Sequence, residues 1–125
     1  MKRWVFLATL LFVVMIVAIV LAADAGRIPK VLDRVSDFPG GDKAGHFLLF
    51  GVLSYLLNRS ALLLFPRKGP VRVVLVVVLS LVVLIGLEEW SQSLFPARTM
   101  SLSDLLASYA GVALFALLAY RLRPR

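Results

Sequence analysis

Four long apolar stretches take up most of the 125 residues, and a chain that must find a solvent for all four has little freedom left. The first, Trp4 to Ala23, is twenty residues without a charge. The second runs from about His46 to Phe65, the third from Val73 to Leu94 with Glu88, Glu89 and Gln92 near its end, and the fourth from Leu105 to Tyr120. A bilayer core about 30 Å thick is crossed by roughly 20 helical residues. The stretches therefore predict an all-α membrane protein, a bundle of four transmembrane helices over about 4–23, 45–65, 72–94 and 103–121, forming a single domain over 1–125. Composition agrees, at 61% hydrophobic and 17% charged, because no soluble fold of this length could hide that much apolar surface.

Charge sets the expected orientation, since Lys and Arg near span ends stay cytoplasmic. With the N-terminus inside, the cytoplasmic segments hold Lys2, Arg3, Arg59, Arg67, Lys68, Arg72, Arg121, Arg123 and Arg125, nine of the fourteen bases and none of the seven acids. The other five bases, Arg27, Lys30, Arg34, Lys43 and Arg98, are interleaved with Asp24, Asp33, Asp37, Asp42 and Asp104. Both termini are expected in the cytoplasm, with the protein in the cytoplasmic (inner) membrane. The net charge of +7 then follows from topology and from attraction to anionic inner-leaflet lipid, with no need for nucleic acid. The opening Met1-Lys2-Arg3, the apolar run and Ala23-Asp24-Ala25 also resemble a secretory signal. Signal cores run about 7 to 15 residues, so length favours a retained span. The absence of cysteine excludes disulfides, thiolate chemistry and lipidation on cysteine.

Between the first two stretches, Ile28, Val31, Leu32 and Val35 follow the spacing of one helix face, while Lys30, Asp33, Arg34 and Asp37 take the other. Pro29 suits a first turn. Pro29 to Ser36 is expected to form a short amphipathic helix on the outer interface, as an anchor or as a lid. Pro39-Gly40-Gly41 then turns the chain into the second span.

Candidate chemistry gathers at the outer ends of the spans. Asp42 and His46 are i, i+4 neighbours and Lys43 and His46 are i, i+3, so a carboxylate can orient the one imidazole. Counting outward from Arg72 puts Gln92 near the boundary and Glu89 about a turn inside it. An intramembrane carboxylate is costly and is a functional-site hypothesis by default. Glu89 and Gln92 share a face, and Glu88 projects about 100° away, which makes Glu89 the favoured functional carboxylate and Glu88 its supporting neighbour. The bland alternative is an ion pair between the glutamate and Arg98 that locks spans three and four together. Arg98 has a fork of donors suited to phosphate or carboxylate. Ser101 or Ser103 is expected to cap the last helix, with Asp104 in its first turn. Asp104, Ser108 and Gly111 form one stripe, and Ala107 with Gly111 makes a small-xxx-small pair expected to pack. A metal could be held by His46, Glu89 and Asp104, but one histidine with dispersed carboxylates is a weak signal, and no motif calls for a cofactor.

Asp42-Lys43 followed by His46-Phe47, then Glu89-x-x-Gln92, Arg98, and Asp104 with Gly111 resembles the VanZ-like membrane proteins over more than half of the chain. Where the family pattern has an asparagine four residues after the aspartate, this chain has Ser108. The resemblance implies a small multi-span bacterial cell-envelope protein, in a family named for a member linked to teicoplanin resistance. It implies no reaction.

The start of span two, the end of span three and the start of span four all fall at the outer leaflet, so these side chains can surround one shallow pocket. The first expectation is a site that binds or modifies an anionic amphiphile, a lipid or a lipid-linked envelope precursor. There Glu89 and His46 would move a proton, Lys43 and Arg98 would hold the anion, Gln92 and Asp104 would orient them, and Asp42, Glu88 and Ser108 would support. The second is a non-catalytic component whose polar cluster holds helices together and docks a membrane-protein partner or a second copy. A transporter ranks third, since four spans leave little room for alternating access.

Overall fold

Each apolar stretch folds as one long helix, since a helix satisfies its own backbone N–H and C=O groups where water is absent. The computed structural model describes residues 2–26, 41–94 and 101–123, without the side chain of Asp42. Its elements are α1 (Lys2–Asp24), α2 (Gly41–Leu64), α3 (Pro70–Ser91) and α4 (Leu102–Arg121), with a 3-10 turn at Gln92–Leu94 after α3. Helices of 20 to 24 residues are roughly 30–36 Å long, enough to cross a bilayer core. All four are long and apolar enough to do so. The expected interfacial helix at 29–36 lies outside the described residues.

Local sequence sets the helix ends. Pro66 cannot continue α2, and Phe65 N–H still donates to Ala61 O at 2.9 Å before Lys68 N–H closes a turn on Phe65 O. Pro70 then opens α3 behind Gly69. This short connection makes α2 and α3 antiparallel. The N-cap of α4 is Ser101, whose Oγ accepts from Asp104 N–H at 3.3 Å, with the Asp104 carboxylate in the first turn.

The closest packing is between α2 and α4, which run parallel. A Cβ added at Gly111 would overlap the Phe47 carbonyl oxygen and lie 3.2 Å from Gly51 N, so the two backbones touch here as small residues permit in lipid. Just past that contact Ser54 Oγ donates to Val112 O at 2.8 Å, and Asn58 Nδ2 donates to Ser54 O at 2.8 Å. α3 runs antiparallel to α4, with Tyr109 Oη donating to Val82 O at 2.9 Å.

α1 is attached by a narrow seam. Its buried residues Thr9, Ile16 and Ala23 recur every seven positions, the spacing of a coiled-coil stripe. Thr9 Oγ1 bonds Ser60 Oγ at 2.8 Å, and Ile16 joins Phe50, Leu53, Leu81, Ile85 and Val112 in the apolar core. Most of the remaining α1 surface is exposed Leu, Val, Met and Trp, the pattern of a helix whose solvent is hydrocarbon.

Candidate functional site

The ends of α1 and α3 and the starts of α2 and α4 meet at one end of the bundle, and there the polar residues singled out from sequence gather. Their centre is Glu89, only 2% exposed. Its Oε1 accepts from the Ser101 backbone N–H at 2.7 Å and its Oε2 from Gln92 Nε2 at 3.0 Å. A buried carboxylate is tolerable only with such donors. Here one comes from the 3-10 turn that follows its own helix and the other from the N-cap of α4. The bond to Ser101 therefore ties α3 to α4; the ion pair with Arg98 that sequence suggested falls on a residue outside the described set.

Gln92 is the hub. Its Nε2 donates to Glu89 Oε2 and also to Glu88 Oε1 and Oε2, at 3.3 and 3.0 Å. One amide group with two hydrogens is shared among three carboxylate oxygens. The two glutamates do diverge on the helix, as their 100° offset requires. They remain joined because Gln92 stands at i+3 from one and i+4 from the other.

Glu88 faces the other way, toward α1 and α2. It stands at the end of an open apolar groove of about 360 Å³ lined by α1, α2 and α3. The groove runs from Val13, Leu57 and Leu81 to Leu21, Phe50 and Glu88. Apart from Glu88 its walls are aliphatic and aromatic carbon.

His46 is half-buried, and its ring lies 6.1 Å from that of Phe50, one turn further along α2. Because Phe50 lines the groove, His46 stands just beyond the mouth on the α2 side, as Glu88 marks the mouth on the α3 side. Lys43 is exposed one turn beyond His46. Asp42 lies in α2. Asp104 is half-buried and contributes its backbone N–H to the cap, and Ser108 is buried with its Oγ donating to Asp104 O at 3.0 Å. The structure thus bonds Glu88, Glu89, Gln92 and Ser101 into one cluster, with Asp104 and Ser108 on the helix that Glu89 caps and with Lys43 and His46 on the adjoining end of α2. Among the described residues no group of three His, Asp or Glu is placed to hold a metal ion.

Two features were not foreseen from sequence. The Ser101 N–H partner of Glu89 is a backbone group and leaves no side-chain signal. The groove is built from Phe50, Leu53 and Leu57 at helical spacing, which in a membrane span is indistinguishable from a face turned to lipid. Compared with protein-family models, curated proteins and solved structures, the chain matches none.

Proposed function

We propose that this is a multi-pass protein of the bacterial cytoplasmic membrane, both termini inside, that binds or modifies a phosphate-bearing amphiphile at the outer leaflet. The amphiphile is a lipid or a lipid-linked envelope precursor. The observation that carries this reading is a pair of carboxylates joined through one amide, at the end of an apolar groove and at the same end of the bundle as Lys43 and His46. Buried carboxylate clusters in a membrane span are costly and are kept where a polar ligand or a proton must be handled. Lys43 and Arg98 supply the anion-binding charge, Gln92 fixes the carboxylates, and Glu89, Glu88 and His46 are the groups able to accept or pass a proton. The likeness of Asp42 to Gly111 to VanZ-like proteins extends the proposal to a cell-envelope role that alters teicoplanin susceptibility.

A second reading is favoured by the Glu89–Ser101 bond, which gives the cluster a purely structural task in joining α3 to α4. The two readings separate in cells making wild type, Glu88→Gln or Glu89→Gln at matched membrane levels. A lipid or lipid-linked precursor whose amount changes with wild type and with neither variant supports the ligand reading. Identical profiles from stably folded proteins would refute it and leave the structural one.

A further inference from the structure

The end of the bundle opposite the glutamate cluster carries charge of one sign. Of the nine bases assigned to that end, all but Arg125 are described. Arg59, Arg121 and Arg123 gather where α2 meets the end of α4, and the other five sit at the start of α1 and around the turn between α2 and α3. Every acid of the four helices, Asp24, Asp42, Glu88, Glu89 and Asp104, is at the far end, roughly 30 Å away. Asp33 and Asp37 fall in sequence between Asp24 and Asp42. Salt screens exposed charges over about 8 Å, so the basic end needs an anion that the helices do not supply. A terminal amine and a terminal carboxylate would both lie here and cancel.

Two of these bases are fixed in place. Arg59 and Arg123 are half-buried, while the other described bases of this end are exposed. Arg59 Nη1 donates to Leu122 O at 3.0 Å. Arg123 Nη1 donates to Tyr120 O at 2.7 Å, and its Cζ lies 3.9 Å from the centre of the Tyr120 ring. Both guanidinium groups are thus anchored on carbonyls two residues apart at the end of α4, where a cation offsets the negative end of the helix dipole. That task uses one N–H of each group out of five, and neither fork meets a carboxylate among the described residues. A bare helix C-terminus repels an anion, but here the arginines cover its carbonyls. Two planar forks whose side-chain freedom is already restricted suit the two free oxygens of a phosphate diester.

The sign of the surroundings selects the head. A zwitterionic head would bring its ammonium among bases that have no carboxylate to receive it. A phosphate esterified to an uncharged alcohol brings no such group.

We infer that Arg59 and Arg123 receive the phosphate of one anionic phospholipid, of the phosphatidylglycerol class, which holds the last turn of α4 against α2. The site is a helix length from the glutamate cluster. It is the same whichever side of the membrane this end faces, so it does not rest on the outer-leaflet reading.

The test uses the purified full chain in an uncharged maltoside detergent, with native mass spectrometry after addition of phosphatidylglycerol and phosphatidylcholine of identical acyl chains. Wild type is expected to retain one phosphatidylglycerol with about tenfold preference, the smaller end of what a hydrogen bond to a charged group contributes. Arg123→Gln should abolish the preference, and Arg59→Lys, which keeps the charge and loses the fork, should reduce it several-fold. Lys68→Gln removes the same charge from the exposed turn and should change the preference by less than about twofold. Phosphatidylglycerol should also raise the dodecyl sulfate concentration that unfolds wild type and leave that of Arg123→Gln unmoved. Arg123 follows the last residue of α4, so its replacement spares the helices, and an unchanged far-UV spectrum certifies each variant.

Equal retention of the two lipids by wild type would overturn the inference. So would an equal loss of preference in Lys68→Gln and Arg123→Gln, which would spread the attraction over the whole basic end. Displacement of the lipid by an equal concentration of glycerophosphoglycerol, the same head without chains, would mark a site for a soluble phosphate and overturn it as well.

Discussion

The contact between α2 and α4 makes a graded prediction about three glycines. Alanine is favoured over glycine inside a helix by about 1 kcal/mol, so each Gly→Ala change begins with a gain and ends according to what the new methyl meets. At Gly45 it meets nothing within 4 Å, and Gly45→Ala is expected to be neutral or to stabilise by up to ~1 kcal/mol. At Gly51 it comes 2.5 Å from Phe115 Cδ2 and 2.7 Å from Cε2. That ring can swing, at about 0.5–1.5 kcal/mol for an off-rotamer side chain, so gain and cost nearly cancel. At Gly111 it overlaps the Phe47 carbonyl, and Gly51 N stands 3.2 Å away. Neither group can rotate aside, so the helices must separate at about 1–3 kcal/mol for overpacking. The adjoining Ser54–Val112 hydrogen bond is lost with that separation, for about 1 kcal/mol. After the helix gain, Gly111→Ala should lose about 1–3 kcal/mol, roughly a 5- to 150-fold fall in the folding constant. Unfolding in mixed micelles with rising dodecyl sulfate, followed by the fluorescence of Trp4 and Trp90, gives the three values. A Gly111→Ala protein as stable as wild type, or one less damaged than Gly45→Ala, would refute the close parallel packing.

Other expectations follow from single groups. Glu89→Ala leaves the Ser101 N–H without its partner and should cost about 1–3 kcal/mol in the same assay; Glu89→Gln, which keeps an acceptor for Ser101, should cost less, and equal stability of Ala and wild type would remove its structural role. Asn58 is fully buried and its Oδ1 has no hydrogen-bond partner, so Asn58→Leu should be neutral or stabilising by up to ~1 kcal/mol, with a loss larger than that arguing for a donor at this atom. Because the chain has no cysteine, Lys43→Cys and Lys68→Cys report topology cleanly: an impermeant maleimide should label the first in intact cells and the second only after permeabilisation, and the reverse pattern would invert the protein.

Much of this architecture was written in hydropathy, which sees the lipid-facing length of a helix and stops where side chains turn polar. It therefore started the second span near residue 45, while the hydrogen-bonded helix begins at Gly41, because backbone pairing does not depend on side-chain polarity. The cap was legible only as Ser101 or Ser103, since a short hydroxyl side chain ahead of an acid is a local signal, and the structure selects Ser101. The sharing of Gln92 was half legible, its i+3 relation to Glu89 being noted and its i+4 relation to Glu88 passing unremarked. The polar tier of Thr9, Ser54, Asn58 and Ser60 was available as hydroxyls and an amide in otherwise apolar spans. Single hydroxyls and amides are a weaker signal in a span than the more costly charges. The orientation of Glu88 toward a groove depends on how three helices lean together, and no single helix encodes that.

The parallel alliance of α2 with α4 sets a timetable for biogenesis. Ser54 and the Val112 carbonyl that it bonds are separated by 58 residues, and at about 5–20 residues per second of synthesis the second helix waits roughly 3–12 seconds for the fourth. Through that interval Ser54 and Asn58 face hydrocarbon or the insertion machinery, and the intervening α3 must leave one flank of α2 vacant. The fourth helix is thus the one that closes this bundle, and a chain halted after α3 would present the quality-control proteases of the membrane with an exposed polar stripe.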